Sequence, residues 1–283
     1  MKAQRSVFSF ENFRLHDHEF ALLRDLIHEI SGINLEQHKR ELLRMRLLNR
    51  VRQLQLNSFK EYYEYVVNSD PDKEEREELL NAVSTNKTDF FREIAHFDFL
   101  RNKALPDLCK KSPLRILSAG CSTGEEPYSI AITCYDFFGE KTNASVSLYA
   151  IDLNTQVLAK ANEGIYPLDA VSMVPKERLH QYFLQGTGEF EGKVQLKPDI
   201  KNLVDFRCHN LMAPLPFNSK FHIIFCRNVV IYFDRATQKN LFQRFQNSLL
   251  PGGYLFIGHS ESLSFFEHSL RYIQPSVYKN EQL

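Results

Sequence analysis

The sequence has little that would suit a secreted, membrane-spanning or nucleic-acid-wrapping protein. No apolar run approaches the roughly 18 residues of a membrane span, and the N-terminal stretch MKAQRSVFSFENF has no hydrophobic region typical of a signal peptide. The 35 basic and 35 acidic side chains cancel, which argues against a nucleic-acid partner but leaves a local basic patch open. We therefore expect a cytoplasmic protein without membrane insertion.

Cysteine is scarce and irregularly placed. The five cysteines are an odd number, and no two of them form a CxxC pair. Cys121, Cys208 and Cys226 lie in or beside apolar segments typical of strands. Buried, reduced thiols explain this pattern better than a disulfide or a metal site, so we predict no metal ligands.

The first third of the chain is predicted to be helical. Residues 17 to about 105 show helical periodicity with almost no strand-like runs. Gly32 is placed to end the first helix, and Ser58 to cap the third. We therefore predict a helical N-terminal domain over residues 1–85, followed by an interdomain segment over residues 86–112.

From Leu114 onward, strand and helix patterns alternate, which is typical of a mostly parallel sheet with helices on both faces. We predict that this α/β domain spans residues 113–283. The stretch RATQKNLFQRFQNSLLPGG is predicted as a helix followed by a turn, and RYIQPSVYKN as one terminal strand. Between Gly164 and Val204 lie roughly 40 residues, too many for an ordinary connection. A subdomain inserted at about residues 165–203 accounts for them.

The stretch RILSAGCSTGEEPYSIAI, residues 115–132, has the form of a strand, a small-residue loop and a helix. It lacks both GxGxxG and the Lys-Ser/Thr pair of a phosphate-binding loop. Two glutamates at the helix start would repel phosphate, so the loop suits a phosphate-free nucleoside with positive charge. Asp152, at the end of the next strand, is placed to accept ribose hydroxyls.

S-adenosylmethionine fits this description. A flavin- or NAD-binding domain with an unusual loop, or a glutamate pair that only caps a helix, remains an alternative at this point.

Four stretches together resemble the CheR family of chemotaxis receptor glutamate methyltransferases, from about residue 17 to the C-terminus. They are NKTDFFRE, SAGCSTGEEPYS, FCRNVVIYF and LLPGGYLFIGHSE. The resemblance implies an all-helical N-terminal domain and a Rossmann-like class I S-adenosylmethionine-dependent methyltransferase domain of α/β class. It also implies a small antiparallel β subdomain inserted after the helix that follows the second strand. The implied enzyme is a protein-glutamate O-methyltransferase, and its product from the cofactor is S-adenosylhomocysteine.

The resemblance also implies roles for individual residues. Arg92 would pair with the carboxylate of the methyl donor, Glu126 would bind its amino group, and Asp152 its ribose. The other implied cofactor-binding residues are Asn86, Thr88, Asn210 and Leu211 (the last two beside the adenine), and Arg227 and Asn228 near the reacting end. Tyr232 would lie close to the methyl group, so the candidate catalytic residues are Tyr232, Arg227 and Arg92.

The implied reaction explains why the sequence shows no nucleophile–base set. A glutamate side chain, with a pKa near 4.3, is already ionised at neutral pH and needs no general base. Histidines such as His209 and His259 are therefore interpreted as structural. We expect Tyr232 and Arg227 to orient the incoming carboxylate.

The second helix carries a basic face. Lys39, Arg46 and Arg50 recur at helical spacing beside an apolar stripe. A solvated surface and an RNA-binding surface are both open. The resemblance implies contact with an acidic receptor helix through Arg46 and Arg52, with Arg50 alongside, although Arg52 points away from Arg46 on an ideal helical wheel.

The predicted partners are chemoreceptor cytoplasmic domains, and the chain is expected to be a monomer. The GTGEFEGK segment of the insertion would supply a hairpin and an exposed strand edge, which could bind a receptor C-terminal tail or serve only as a lid. Two further functions stay open. One is methyl transfer to another acceptor, such as RNA or a small acid, and the other is a non-catalytic, cofactor-sensing adaptor.

Overall fold

The computed structural model describes residues 13–111 and 113–281. It divides into an N-terminal unit that ends at Ser84 and a C-terminal unit that begins at Thr85. The predicted domain limits at residues 1 and 283 and at residue 112 lie outside the described residues.

The N-terminal unit is helical. Its elements are α1 (Asp17–Ser31), a 3-10 turn (Gln37–Lys39), α2 (Arg40–Gln53), α3 (Phe59–Asn68) and α4 (Glu74–Val83). Gly32 ends α1 at a left-handed φ of 75°, and the Ser58 hydroxyl accepts the Glu61 N–H at the start of α3, both as predicted. Fully buried side chains such as Phe20, Leu47 and Tyr62 form the core of this unit.

The C-terminal unit begins with an extended segment and a short irregular helix. The helix comprises α5 (Ala95–Phe99), a π turn (Leu100–Ala104), α6 (Leu105–Leu108) and a 3-10 turn (Cys109–Lys111). Phe97, Leu100 and Leu105 are buried in the main core of the sheet. The stretch predicted as a linker is therefore part of the packed C-terminal unit.

A seven-stranded sheet organises the described part of this unit, in the order β6-β2-β1-β7-β8-β10-β9. The strands are β1 (Leu114–Ala119), β2 (Val146–Asp152), β6 (Val204–Cys208), β7 (Phe221–Cys226), β8 (Leu249–Ile257), β9 (Leu270–Gln274) and β10 (Val277–Asn280). The main helices between them are α7 (Glu125–Phe138), α8 (Thr142–Ser145), α9 (Thr155–Glu163) and α12 (Arg235–Ser248). Pairing is parallel from β6 to β8 and antiparallel for the last two strands. The predicted α/β class is confirmed.

Two local predictions were wrong. The Pro-Gly-Gly stretch at residues 251–253 is not a turn but lies inside β8, which begins at Leu249. The pairing register between β7 and β8 shifts at this point, and such an irregularity accommodates a proline without breaking the strand. The C-terminal strand is in fact the hairpin β9–β10, because Pro275 and Ser276 form its turn.

A subdomain is inserted between α9 and β6. It begins directly after Gly164, which ends α9, and contains β3 (Ile165–Pro167), α10 (Lys176–Tyr182), β4 (Phe183–Gln185), β5 (Lys193–Leu196) and α11 (Pro198–Lys201). The three strands form a separate antiparallel sheet in the order β3-β5-β4. Among the described residues, no helix has the length and apolar character needed to cross a bilayer.

Candidate active site

The loop between β1 and α7 lies at the carboxyl end of the sheet, where open α/β folds bind ligands. The N–H groups of Gly120 and Cys121 donate to the Ile151 carbonyl at 2.8 and 3.0 Å, so the loop is fixed against the end of β2. Gly120 has a φ of 79°, and a Cβ atom there would lie 2.4 Å from Val229 Cγ2. The loop and the segment after β7 therefore approach each other more closely than any side chain at position 120 would allow.

Asp152 lies at the end of β2, where its carboxylate binds both the loop after β1 and the turn that follows β2. Its two carboxylate oxygens accept the N–H of Ser122 at 2.8 Å and of Asn154 at 2.9 Å. Burial raises the pKa of Asp152, while the backbone hydrogen bonds oppose that shift. Each carboxylate oxygen has more than one lone pair, so these bonds leave room for ligand hydroxyl groups.

A buried ion-pair network lies beside the loop. Arg227, with a side chain only 2% exposed, donates to Glu126 Oε2 and to Glu93 Oε2, each at 3.1 Å. Ser118 Oγ donates to the other oxygen of Glu126 at 2.7 Å. Burial raises the pKa of Glu126 despite Arg227. Burial also tends to raise the pKa of Glu93, but the Arg227 charge and the hydrogen bond from the His259 N–H outweigh this effect. The pKa of Glu93 is therefore lowered.

The segment that contains NKTDFFRE is held in place through its backbone. Ser122 Oγ donates to the Asn86 carbonyl at 2.8 Å, and the Phe91 N–H donates to Ser129 Oγ at 2.9 Å. Arg227 also donates to the Arg92 carbonyl. The half-buried Arg92 side chain itself donates to the Lys87 carbonyl at 3.2 Å. Arg92, Glu126 and Arg227 are thus brought together in one network, while Asn86 is joined through Ser122 to the loop after β1.

Glu261 organises the other side of the site and was assigned no role from the sequence, although it lies within the quoted LLPGGYLFIGHSE stretch. Its buried carboxylate accepts the N–H groups of Asn228, Val229 and Val230 at 2.9 to 3.0 Å, and that of Gly258 at 2.6 Å. Burial raises the pKa of Glu261, against these four hydrogen bonds. One carboxylate therefore fixes the loop after β7 on which Asn228 and Tyr232 lie.

The remaining predicted residues lie at the same end of the sheet or near it. Leu211 is 8% exposed, and Asn210 Oδ1 accepts the Met212 N–H at 2.9 Å in the connection after β6. Tyr232 is half-buried in a 3-10 turn at residues 230–232, directly after the Glu261-bound amides. Thr88 is half-buried in the extended segment before Phe91.

The basic helix of the N-terminal unit shows three different environments for its candidate residues. Arg50 donates to Glu75, which is 5% exposed, and also lies 3.4 Å from Glu78. Arg46 donates to the carbonyls of Val83 and Ser84 at the end of α4, where a positive charge interacts favourably with the helix dipole. Arg52, which the helical wheel placed apart from Arg46, is exposed.

Comparison with known proteins identifies the family. The family model described as "CheR methyltransferase, SAM binding domain" matches residues 86–278, and "CheR methyltransferase, all-alpha domain" matches residues 18–84. The chain belongs to the CheR methyltransferase family. As a CheR methyltransferase it uses S-adenosylmethionine, as the loop and Asp152 indicated.

Relatives match this CheR chain over nearly its full length. Chemotaxis protein methyltransferase 2 of Pseudomonas aeruginosa is 39% identical over 273 residues, covering 96% of each chain. The chemotaxis protein methyltransferase of Escherichia coli (strain K12) is 39% identical over 273 residues, covering 95% of this chain and 92% of the relative. A solved structure of the plantazolicin methyltransferase BpumL in complex with SAH is 14% identical, with a TM-score of 0.36 over 69% of this chain and 55% of that one.

The residues of the CheR site suit a cationic, phosphate-free nucleoside. The loop at Gly120 packs closely against Val229, and the acidic side chains of Asp152 and Glu126 lie beside this loop. Such a site repels phosphate and favours the amino and sulfonium groups of S-adenosylmethionine. The structure therefore agrees with the cofactor that the family uses.

The close approach of Val229 to Gly120 leads to a first prediction. Gly120→Ala should lower the free energy of unfolding by about 2–4 kcal/mol, because it adds both left-handed strain and a collision with Val229, and it should weaken S-adenosylmethionine binding. Gly188→Ala is the matched control, since Gly188 has a φ of 62° with no atom within 4 Å of its Cβ position. Thermal unfolding and equilibrium dialysis with labelled cofactor measure the two effects. Equal losses in both variants would contradict the role given to Val229.

Proposed function

We propose that this protein transfers the methyl group of S-adenosylmethionine to glutamate side chains on the cytoplasmic helices of chemoreceptors, giving glutamate methyl esters. The observation that carries the proposal is the match of both domains, over nearly the full length, to relatives named chemotaxis protein methyltransferases. The acceptor follows from chemistry. A glutamate carboxylate is ionised at neutral pH and attacks without a general base, which suits a site built from acidic residues, arginines and backbone amides.

S-adenosylmethionine, when bound, supplies a methyl group on a sulfonium and leaves as the neutral thioether S-adenosylhomocysteine. Asp152 would accept the ribose hydroxyls with its remaining lone pairs, and Glu126 would accept the amino group. The Arg92 guanidinium would exchange the Lys87 carbonyl for the carboxylate of the cofactor, with which it can make two parallel hydrogen bonds. Asn86, Thr88, Asn210, Leu211 and Asn228 would complete the binding site, as the resemblance implies.

Within this proposal, Tyr232 orients the incoming glutamate. It is half-buried in the loop after β7, whose backbone Glu261 fixes. The tyrosine would therefore have a fixed position while its hydroxyl stays accessible to the substrate. Arg227 acts indirectly, since its guanidinium is buried between Glu93 and Glu126, where it holds Glu126 and the Arg92 backbone in position. Because the charges of both reactants disappear in the reaction, alignment and exclusion of water would supply most of the acceleration.

Receptor recognition is assigned to two surfaces. On α2, the exposed Arg52 would contact the acidic receptor helix, while Arg46 and Arg50 hold the helix to α4 as well as adding positive charge. On the insertion, β4 is an edge of the three-stranded sheet, and Leu184 on it is 47% exposed. An extended receptor tail could add to such an edge. We propose that the enzyme acts as a monomer in the cytoplasm.

Labelling of receptors tests the proposal directly. The protein is incubated with methyl-labelled S-adenosylmethionine and chemoreceptor-containing membranes, and the product is treated with mild alkali. Release of volatile labelled methanol from receptor protein is the expected result, because methyl esters hydrolyse under these conditions and N-methyl groups do not. Label that appears in RNA or resists alkali would contradict the proposed acceptor. Cofactor binding without any transfer would support an adaptor instead.

The role of Arg52 leads to a second prediction. Arg52→Ala should raise the KM for receptor about three- to fivefold with little change in kcat, because one exposed charge pair contributes up to about 1 kcal/mol. Arg24→Ala, which removes another partly exposed arginine, on α1, is the control and should leave KM unchanged. Methylation rates at varied receptor concentration give both constants, and the difference should shrink at high salt. An unchanged KM would remove Arg52 from the receptor surface.

A further inference from the structure

A group of three potential metal ligands lies beside the proposed active site. Glu93, His96 and His259 each place one ligand atom within 4.8 Å of the others. Glu93 Oε2 is 3.4 Å from His96 Nδ1 and 3.8 Å from His259 Nε2. Glu93 and His96 are neighbours on one turn, because the His96 N–H donates to the Glu93 carbonyl at 2.9 Å, and His259 arrives from the loop after β8.

His96 provides the independent sign of a ligand. Its side chain is 1% exposed, and within residues 13–111 and 113–281 neither ring nitrogen makes a hydrogen bond of normal geometry. The ring has only a 3.4 Å contact from Nδ1 to Glu93 Oε2 and an interaction with the Pro275 backbone. A buried polar ring without well-formed hydrogen bonds destabilises the folded chain, and a bound ion would offset that cost. Phe256, whose ring packs edge-on against His96 with centroids 5.7 Å apart, would pack equally well against an apolar side chain.

The geometry suits a small transition-metal ion. Ligand atoms around a tetrahedral Zn²⁺, with bonds of about 2.0–2.1 Å, lie about 3.4 Å apart, which is the Glu93–His96 separation. His259, whose Nε2 is 3.8 Å from Glu93 Oε2, must move closer, and its side chain, 53% exposed, has the space to do so. A ligand set of two imidazoles and one carboxylate favours Zn²⁺ over Mg²⁺ or Ca²⁺, which bind oxygen ligands.

The surroundings of Glu93 also resemble a supported ligand rather than a surface pair. Its other oxygen, Oε1, accepts the His259 N–H at 3.2 Å, and Arg227 donates to Oε2 at 3.1 Å. Carboxylates that bind metals are usually hydrogen-bonded in this way by neighbouring groups. The positive charge of Arg227 weakens metal binding, but Glu126 shares that charge.

We infer that Glu93, His96 and His259 bind a divalent transition-metal ion of the Zn²⁺ class, with a water molecule or a further ligand in the open fourth position. This differs from our sequence-based prediction of no metal ligands, which considered the spacing of cysteines and interpreted His259 as structural. The inference is independent of the proposed acceptor. The ion and Arg227 would share the Glu93 carboxylate as a ligand. Binding of the ion would therefore weaken the ion pair between Glu93 and Arg227.

The test uses tag-free, chelator-treated protein with Cys109→Ser and Cys208→Ser, because among the described residues these are the two cysteines that are not buried. Titration with ZnCl₂ in a calorimeter gives stoichiometry and affinity, and CoCl₂ gives visible absorption bands that report four-coordinate nitrogen and oxygen ligands. We expect one ion per chain. His259→Ala should weaken binding at least about tenfold, whereas His180→Ala, an exposed histidine on α10, should change it less than about twofold.

Each outcome decides the question. One-to-one binding that His259→Ala weakens supports the site, and His96→Phe, which fills the same space, should then remove the cobalt bands. Absence of stoichiometric binding overturns the inference, as does binding that is unchanged by His259→Ala. Since the His259 side chain is half-exposed, its loss should leave the circular dichroism spectrum and unfolding midpoint unchanged, so weaker binding cannot be ascribed to misfolding.

Discussion

Replacing Arg227 with methionine should lower the free energy of unfolding of the C-terminal unit by about 3–5 kcal/mol, because it leaves buried carboxylates without their partner. The Arg227 side chain is 2% exposed, and the side chains of Glu93 and Glu126 are 12% and 10% exposed, so water cannot easily replace the guanidinium. The Arg92 carbonyl loses its donor at the same time. Because the proposed cofactor ligands Glu126 and Arg92 lose their positions together, methyl transfer should fall by at least about a hundredfold.

Urea unfolding followed by circular dichroism measures the first effect, since the chain has no tryptophan to report it by fluorescence. Arg271→Met is the control, because Arg271 forms an ion pair with Glu281 in which the two side chains are 58% and 48% exposed, and such pairs contribute about 0–1 kcal/mol. Adding Glu126→Gln to Arg227→Met should restore part of the lost stability by removing a buried charge. A loss below about 1 kcal/mol for Arg227→Met would contradict the buried network.

The parts of the fold that were predicted correctly depend on signals close together in sequence. Gly32 ends a helix by adopting a left-handed φ angle, and the Ser58 cap lies three residues from its donor. The Pro-Gly-Gly stretch misled the prediction because its outcome depends on a distant partner, the register shift against β7. Local chemistry favoured a turn, and sheet pairing decided otherwise.

The same distinction applies to the site. The end of a strand pointed to Asp152 and the start of a helix to the glutamate pair at residues 125–126, while the choice of Glu126 within that pair rests on the resemblance to the CheR family. Glu261 and Glu93 were assigned no role, because the partners that tie them to the site are distant in the chain. Glu261 accepts from Asn228 and Val230, 33 and 31 residues away, and Glu93 pairs with Arg227, 134 residues away. Arg50 was read as part of a basic face, whereas it pairs with Glu75 from another helix, 25 residues away. The spacing of charged residues along one helix cannot reveal an ion pair with a residue on another helix.

Backbone strain shows where these distant contacts act. Phe91, Glu93, Ser122 and Asn228 have φ angles of 50° to 59°, although none is glycine. Such residues cost energy and persist where the surroundings fix them, often at functional sites. Three of the four are fixed by side chains of the site, since Phe91 donates to Ser129, Ser122 to Asp152, and Asn228 to Glu261. The network that shapes the site therefore also maintains its strained backbone.

The strongest test of that view is Glu261→Ala. The substitution leaves four N–H groups without an acceptor, two of them buried, at Val230 and Gly258, and two partly buried, at Asn228 and Val229. We expect a loss of about 3–5 kcal/mol in the free energy of unfolding, allowing for water that enters the space. The left-handed Asn228 should relax, and methyl transfer should fall at least about a hundredfold as Tyr232 loses its position.

Hydrogen exchange of the four amides, read peptide by peptide, separates this local effect from general destabilisation. Glu261→Gln should be intermediate, because its amide keeps one oxygen acceptor but turns an N–H₂ group toward the remaining donors. Glu281→Ala, which removes a half-exposed carboxylate from the same unit, should leave both exchange and activity unchanged. If Glu261→Ala kept these amides protected, another group would have to hold the loop after β7. The arrangement of Asn228 and Tyr232 would then follow from packing against Gly120, where Val229 lies close enough to exclude any side chain.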